Sequence, residues 1–326
     1  MPDANLLPEL PRKKLGRTGL EVTTIGLGGG PIGQQGGSPN EELAVQTVWA
    51  ALEAGVTLID TAPFYQNLNS ERYIGRALRE RPDLAKNVVV ETKVGHLPDP
   101  FDYSYDITMR SVAGSLERLG LTHLPVVYIH DAPLELFTRV LATDGALGAL
   151  RKLQAEGVVG HIGIAVNDPD KNAPYIETGE FESAVVPEAY SLLNLRATER
   201  IFPAAERFGM GIVIATPVEK GILATGPQGW VGHIRRNFSP EVVDQVGRME
   251  VVCARHGVPL LAAALQVLTR HPAVTTSIPG AVMPDEARAN ATAGRLVIPE
   301  ELWGELLPLV RSWSREATGS EWVATF

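Results

Sequence analysis

The apolar positions of this chain fall into short runs that alternate with amphipathic stretches. Val56, Leu58 and Ile59 make one run, Val88-Val-Val90 another, and Pro125-Val-Val-Tyr-Ile129 a third. Continuous apolar runs of this length read as strands buried on both faces. Between them the apolar residues recur at helical spacing. Val112, Leu116 and Leu119 share one face of a helix predicted over about 105–119, which Gly120 ends. Strands are predicted to start near 25, 56, 88, 125, 159, 184, 211 and 274, each followed by a helical segment. The other helices are expected at about 39–54, 70–81, 144–156, 169–178, 197–208 and 284–293. A long helical region at about 240–270 breaks at Gly257-Val-Pro259, and a last helix is expected over about 299–314. Strict alternation of short apolar strands and helices means a parallel sheet, and eight such units close into a (β/α)8 TIM barrel of the α/β class.

The punctuation supports this division. Arg12 to Thr24 reads as an N-terminal β-hairpin with Gly16 and Gly19 near its turn. Ser38-Pro39-Asn40-Glu41 reads as a capping box, with Ser38 as N-cap of the first helix. Gly221 to Ser239 is the longest irregular stretch before the tail. It follows the seventh strand, on the face where barrel enzymes work, so it is a candidate lid. No linker divides the chain. Residues 1–326 are expected to be one barrel domain, with loose tails at 1–11 and about 315–326.

Composition narrows the class. With 326 residues, 44% apolar, the chain is long enough for a large core. A net charge of −9 argues against nucleic acid or an acidic membrane as partner. Cys253 is the only cysteine, which rules out disulfides, Cys-rich zinc sites and iron–sulfur clusters within one chain. Met1-Pro-Asp-Ala-Asn5 lacks the basic and apolar segments of a signal peptide, and no apolar stretch reaches spanning length. A cytoplasmic protein is expected. Whether it is a monomer or a homo-oligomer is left open.

Candidate chemistry lies at the strand ends. Asp60, Lys93 and His130 close three consecutive predicted strands, and Tyr65 follows Asp60 by five residues. A tyrosine is a poor acid at neutral pH, with an ordinary pKa of about 10. A neighbouring ammonium favours the phenolate. Lys93 is expected to supply that charge, Asp60 to hold Lys93, and His130 to hydrogen-bond a substrate oxygen. The set suits proton transfer at a carbonyl or alcohol oxygen. It contains neither a metal cage nor an activated nucleophile. Each residue alone has an ordinary structural reading, as cap, anchor or core; together on adjacent strands they form a site.

These residues carry a family likeness. The chain resembles the aldo-keto reductases over nearly its whole length, from Leu15-Gly-Arg-Thr-Gly19 to Ile278-Pro-Gly280 and Asn290. Gly55 to Tyr65, Ser70-Glu71, Ile74-Gly75 and Ala77-Leu78 are similar to the segment around the family's catalytic Asp and Tyr. Thr92-Lys93 and Ile129-His130-Asp131 are similar to the segments of its Lys and His. The resemblance implies a hydride moved between nicotinamide and a substrate carbon, with catalytic Asp60, Tyr65, Lys93 and His130. For the cofactor it implies Gly29, Gly30, Pro31, Asp60, Asn167, Tyr190, Thr216, Pro217, Val218, Gly221, Ile278, Gly280, Glu286 and Asn290.

Departures from the pattern shape the finer expectations. Ala165 stands where a Ser is usual, Pro187 where a Gln is common, and Ala215 where an aromatic residue stacks on the nicotinamide. NADP-using members place basic residues where this chain has Gly280 and Glu286. A carboxylate repels a 2′-phosphate but accepts from a ribose hydroxyl. NAD is therefore expected in preference to NADP; Arg288 and Arg295 are the residues that would argue for NADP.

Phe101-Asp-Tyr-Ser-Tyr-Asp106 and Gly221 to Trp230 resemble the branch that oxidises aldoses at C1. Phe64, His96, Asp131 and Trp230 are candidate substrate contacts. A small aldose is thus the expected substrate. General carbonyl reduction and pyridoxal oxidation are alternatives, as is a cofactor-binding regulatory subunit without turnover. A dinucleotide fingerprint at Gly28-Gly-Gly-Pro-Ile-Gly33 also matches in letters, but Gln34 to Pro39 separates it from any helix. It reads as a loop.

Overall fold

The structure, a computed structural model, describes residues 8–98, 101–229 and 237–319. Eight parallel strands follow one another in a single sheet: Leu27–Gly28, Leu58–Asp60, Val89–Val94, Leu124–His130, Val159–Ala165, Ser183–Pro187, Gly211–Ala215 and Val274–Ile278. The sheet curls until its edges meet. Ile25 bridges Ser277, Gly28 bridges Gly280, and the Gly26 N–H donates to the Ser277 carbonyl at 2.7 Å. The barrel read from the alternation of elements is the fold observed.

Strand alternation sorts the side chains into two cores. Leu58, Val126, Tyr128, Ala165, Val185, Val213 and Ile278 pack inside the barrel. Ile59, Val90, Val127 and Ile129 point the other way and pack under the helices. Leu15 and Val22 of the hairpin Arg12–Lys14/Glu21–Thr23 join the inner cluster and close the barrel floor. Lys13 pins that hairpin by donating to the carbonyls of Thr269 (2.8 Å) and Val274 (2.9 Å). The opposite end of the barrel is left for the loops after each strand.

Several boundaries differ from expectation. The first helix, Glu41–Glu53, is capped by Asn40, whose side chain accepts from the Leu43 N–H at 3.0 Å. Ser38 does not cap it. Ser38–Pro39 instead pairs antiparallel with Gln34–Gln35 across Gly36 and Gly37, whose φ values of 62° and 83° suit a tight two-residue turn. The region 240–270, by contrast, breaks where expected, between the helices Pro240–Arg255 and Leu260–Arg270, which meet at 96°. No single helix among the described residues is long and apolar enough to cross a membrane.

Of the expected loose tails, residues 1–7 and 320–326 lie outside the described residues, while 8–11 and 315–319 are ordered. Leu10 is buried, and the Thr24 N–H donates to the Pro11 carbonyl. The last long helix spans only Glu300–Leu306; Leu307-Pro-Leu309 is a 3₁₀ turn, where Pro308 lacks the N–H that would continue the helix. Arg315–Thr318 forms a further turn, tied to the barrel by an Arg315–Asp168 ion pair at 2.5 Å. In the candidate lid, Ile222–Gly229 is helical rather than irregular, kinked at Gly226. Trp230 and residues 231–236 lie outside the described residues.

Candidate active site

Backbone conformation marks one end of the barrel. Among the described residues, the non-glycine positions with positive φ are Gln66, Asn67, Leu68, Asp131, Glu188, Thr216, Glu219 and Lys220. All lie in loops leaving the C-terminal ends of barrel strands. Such conformations cost on the order of 1–3 kcal/mol each, and they collect where a loop must present a group in a set place.

The four candidate catalytic residues converge at this end. Neighbouring strands bring Asp60 and Lys93 together inside the barrel: the Lys93 ammonium donates to Asp60 Oδ1 and to the Thr61 carbonyl at 2.9 Å. Both side chains are almost fully buried. Removing either partner of such a pair typically costs about 3–5 kcal/mol, because the other charge is left stranded in the interior. The Lys93 Nζ lies 4.6 Å from the centroid of the Tyr65 ring. The His130 ring meets that of Tyr65 edge-on at 5.9 Å.

Burial sets the protonation states. It would lower the Lys93 pKa, but the Asp60 carboxylate opposes it, and the ammonium is held above its ordinary range. Burial likewise lowers His130, to about 3, so the imidazole is neutral. Tyr65 departs from expectation. Burial and then the Asp60 charge raise its pKa, and the pull of Lys93 does not overcome them. The resting site therefore holds Tyr65 as a phenol, ready to donate a proton; Lys93 limits the cost of losing it.

A second network adjoins the first. Asp131 follows His130 in a left-handed conformation, φ 49°. Its Oδ1 accepts from the Asn167 backbone N–H at 2.9 Å, and its Oδ2 from Asn167 Nδ2 at 2.8 Å. Oδ2 also meets His96 Nδ1 at 2.9 Å. His96, His130 and Asp131 gather three potential metal-ligating atoms within 4.8 Å. Yet the carboxylate is already committed to three hydrogen bonds, so the cluster reads as a hydrogen-bonded network. The His96 ring lies between Phe64 (3.8 Å between centroids) and Phe101 (3.9 Å). Its Nε2 is buried with no partner in the protein, as is Nδ1 of His130. Of the four candidate substrate contacts, Phe64, His96 and Asp131 come together; Trp230 is outside the described residues.

The candidate cofactor residues frame the same end. The Gly29 N–H donates to the Asp60 carbonyl at 2.7 Å, and the Gly28 N–H to that of Pro279 at 3.0 Å. The 28–31 loop is thus seated over Asp60 and against Ile278–Gly280. A side chain at Gly30 would meet nothing within 4 Å, so open space lies above it. Asn290 Nδ2 donates to the Gly280 carbonyl at 3.3 Å. Glu286 Oε2 accepts from the Val282 N–H at 2.6 Å, at the start of the helix Pro284–Arg295, whose N-cap Met283 makes no side-chain cap. Uncapped helix N–H groups suit a phosphate. Thr216 Oγ1 accepts from the Glu188 N–H at 2.9 Å and joins two strand-end loops. Pro217 is buried, Val218 packs on the core, and Gly221 has φ 109°. Tyr190 packs its ring on Phe202 at 4.9 Å and near His271. These are core contacts.

Three contributors escaped the reading of the sequence. Tyr103 donates to the carbonyls of His130 (2.8 Å) and Asp131 (2.9 Å), bracing the strained turn. Gln66 Nε2 donates to the carbonyls of Gly30 (3.1 Å) and Ile32 (2.8 Å). Glu91 lies buried inside the barrel with Tyr128. Strand alternation put Glu91 on the face of Lys93 and was the one signal available; Tyr103 and Gln66 sit in loops and gave none.

Comparison with known proteins assigns this barrel, with Asp60, Lys93, Tyr65 and His130 gathered at its C-terminal end, to a class of oxidoreductases. The model of the Aldo/keto reductase family matches residues 24–309. The chain belongs to that family, whose members use nicotinamide cofactors and act on small carbonyl substrates. Pyridoxal 4-dehydrogenase of Microbacterium luteolum is 31% identical, over 90% of this chain and 96% of its own length. D-threo-aldose 1-dehydrogenase of a Pseudomonas species is also 31% identical, over 88% and 94%. The NADH-specific methylglyoxal reductase of Escherichia coli is 27% identical, over 86% and 92%. In fold, the chain is similar to an aldo-keto reductase of Bacillus halodurans in its holo form: TM-score 0.78, 23% identity, 95% of this chain and all of that one.

Proposed function

We propose that this protein is an NAD-dependent aldose 1-dehydrogenase of the cytoplasm, built as one barrel domain. The observation that carries the reading is the buried Lys93 ammonium, held by Asp60 and the Thr61 carbonyl and set 4.6 Å from the Tyr65 ring. A bound nicotinamide supplies the hydride acceptor or donor. Tyr65 moves the proton at the substrate oxygen: as the phenol it gives its proton in reduction, and in oxidation it takes the substrate's proton after first losing its own, a loss whose cost Lys93 limits. Neutral His130 orients that oxygen. Asp131 fixes Asn167 on the cofactor side and His96 on the substrate side. Convergence of all four groups supports turnover rather than a binding role alone.

A polar, hydroxyl-bearing substrate is supported by His96, whose Nε2 has no partner in the protein, and by the adjacent Asp131. A flat pyridoxal ring is the second reading, favoured by the cluster of tilted rings Phe64, His96 and Phe101. Two similar proteins are named for these two substrates. NAD preference is supported by Glu286 and by the engagement of the nearby arginines. Arg288 pairs with Asp285 at 3.1 Å, and Arg295 donates to the Ala54 carbonyl at 2.5 Å. The deciding experiment screens L- and D-aldoses, pyridoxal and simple aldehydes with both cofactors in both directions. Turnover of an aldose with NAD is the expected result. Turnover confined to pyridoxal selects the second reading, and no turnover across the panel refutes both.

A further inference from the structure

Inside the barrel, one layer below the site, lies a carboxyl group that the reaction as described leaves unused. Glu91 precedes Lys93 by two residues on the same strand, so both face the barrel interior, and it pairs in register with Asp60 on the neighbouring strand. It is fully buried. Tyr128, on the next strand, donates to Glu91 Oε2 at 2.9 Å, and Ser183 Oγ meets the Tyr128 hydroxyl at 3.1 Å. The ring has room to lie there because position 163 is glycine: a Cβ would sit 2.3 Å from the Tyr128 ring. Five strands thus contribute to one polar column inside the barrel, through Asp60, Glu91 with Lys93, Tyr128, Gly163 and Ser183.

The donors around Glu91 are too few for a carboxylate. Oε2 has one phenol, and Oε1 has no hydrogen-bond partner. Two other carboxylates of the barrel end and its surroundings are better supplied. Asp131 has three hydrogen bonds, and Glu71 has Thr92 at 2.6 Å and Arg118 at 2.6 Å. The charged groups facing Glu91 are Asp60 on one side and Lys93 on its own strand, and Lys93 is already engaged by Asp60.

We propose that Glu91 is a positioning residue acting through Lys93: an uncharged carboxylic acid that leaves the Lys93 charge to Asp60 and Tyr65, and whose ionisation draws that charge back into the barrel and slows proton transfer at Tyr65. The inference rests on the reading of Tyr65 and Lys93 given above. Burial first, and the Asp60 charge second, lift the Glu91 pKa to about 8, which puts its ionisation within the working range.

The test is Glu91→Gln in the full chain, which keeps the shape and an acceptor for Tyr128 but cannot ionise. Two readouts separate the two ideas. The first needs no substrate. A group whose folded pKa is raised favours the native state below its unfolded pKa and loses that contribution as pH rises through the folded one. In urea unfolding, wild type should lose stability relative to the variant by up to about tenfold in the folding constant per pH unit, between about 4.5 and about 8, and no further above that. A constant difference across that window overturns the neutral acid. The second readout is kcat against pH. The variant should match wild type near neutrality and exceed it several-fold above about pH 8, with cofactor affinity by fluorescence titration unchanged. Superimposable profiles overturn the coupling to Lys93 while leaving the role of Tyr65 intact. Loss of activity in Tyr65→Phe but not in Glu91→Gln is expected; full activity in both refutes the underlying reading.

Discussion

Asp131 holds Asn167 at two points, through the backbone N–H at 2.9 Å and the side-chain Nδ2 at 2.8 Å. The same carboxylate meets His96. One strained residue therefore couples the side proposed for the cofactor to the side proposed for the substrate. Asp131→Ala frees both at once. An angstrom of misplacement can cost on the order of 100-fold in rate. The expected outcome is a fall of that order in kcat/KM, together with weaker NAD binding by fluorescence titration. Unchanged NAD affinity would show that Asn167 is not held for the cofactor.

Tyr65→Phe separates proton transfer from binding. The ring remains beside the Lys93 ammonium, 4.6 Å away in the native protein, and only the hydroxyl is lost. General acid–base catalysis contributes about 10²–10⁴-fold, so kcat should fall within that range while the cofactor still binds. Steady-state kinetics with NAD and the best aldose measure the first, and titration of the cofactor the second. A variant with near-native kcat removes Tyr65 from the reaction.

Glu286 accepts from the Val282 N–H at 2.6 Å, so its carboxylate is anchored at the start of a helix. Glu286→Gln keeps an acceptor there and removes the charge. A like charge near a 2′-phosphate in solvent disfavours NADP by about fivefold. The ratio of NADPH to NADH affinity should rise by about that factor in the variant. An unchanged ratio places the 2′-position of the ribose elsewhere.

The barrel and the convergence of the candidate residues at its rim were legible because both follow from strand periodicity. Asp60, Lys93 and His130 end apolar strands, and adjacent parallel strands bring their ends together without any knowledge of loops. What failed depended on longer-range geometry. Ser38 carried the letters of a helix cap, but Gly36 and Gly37 turn the chain into a small hairpin and pass the cap to Asn40. Pro308 ends the last helix early, although the apolar spacing runs on to about 314. The raised pKa of Tyr65 was not legible because it depends on burial and on its distance from Asp60, and a sequence prints neither. Tyr103 braces the Asp131 turn from a loop whose path no local pattern specifies.

Acid stability offers a last check on the state of His130. Burial, the largest cause, lowers its pKa to about 3, against an ordinary value of about 6.5. Above about pH 6.5 the imidazole is neutral in both native and unfolded chains. Below it the unfolded chain takes up a proton and the native chain does not. The contribution of His130 therefore falls as pH drops from about 6.5 towards about 3, by up to about 1.4 kcal/mol per unit. Glu91 acts with the opposite sign between about 4.5 and about 8, so the two offset each other over part of this range in wild type. Asp131, whose pKa is lowered, begins to take up protons only below the ordinary carboxylate value. His130→Gln removes the imidazole alone. Relative to wild type, it should gain stability progressively as urea unfolding is repeated from about pH 6.5 down to about pH 4. A gap that stays constant with pH would mean that native His130 takes up its proton as readily as the unfolded chain does.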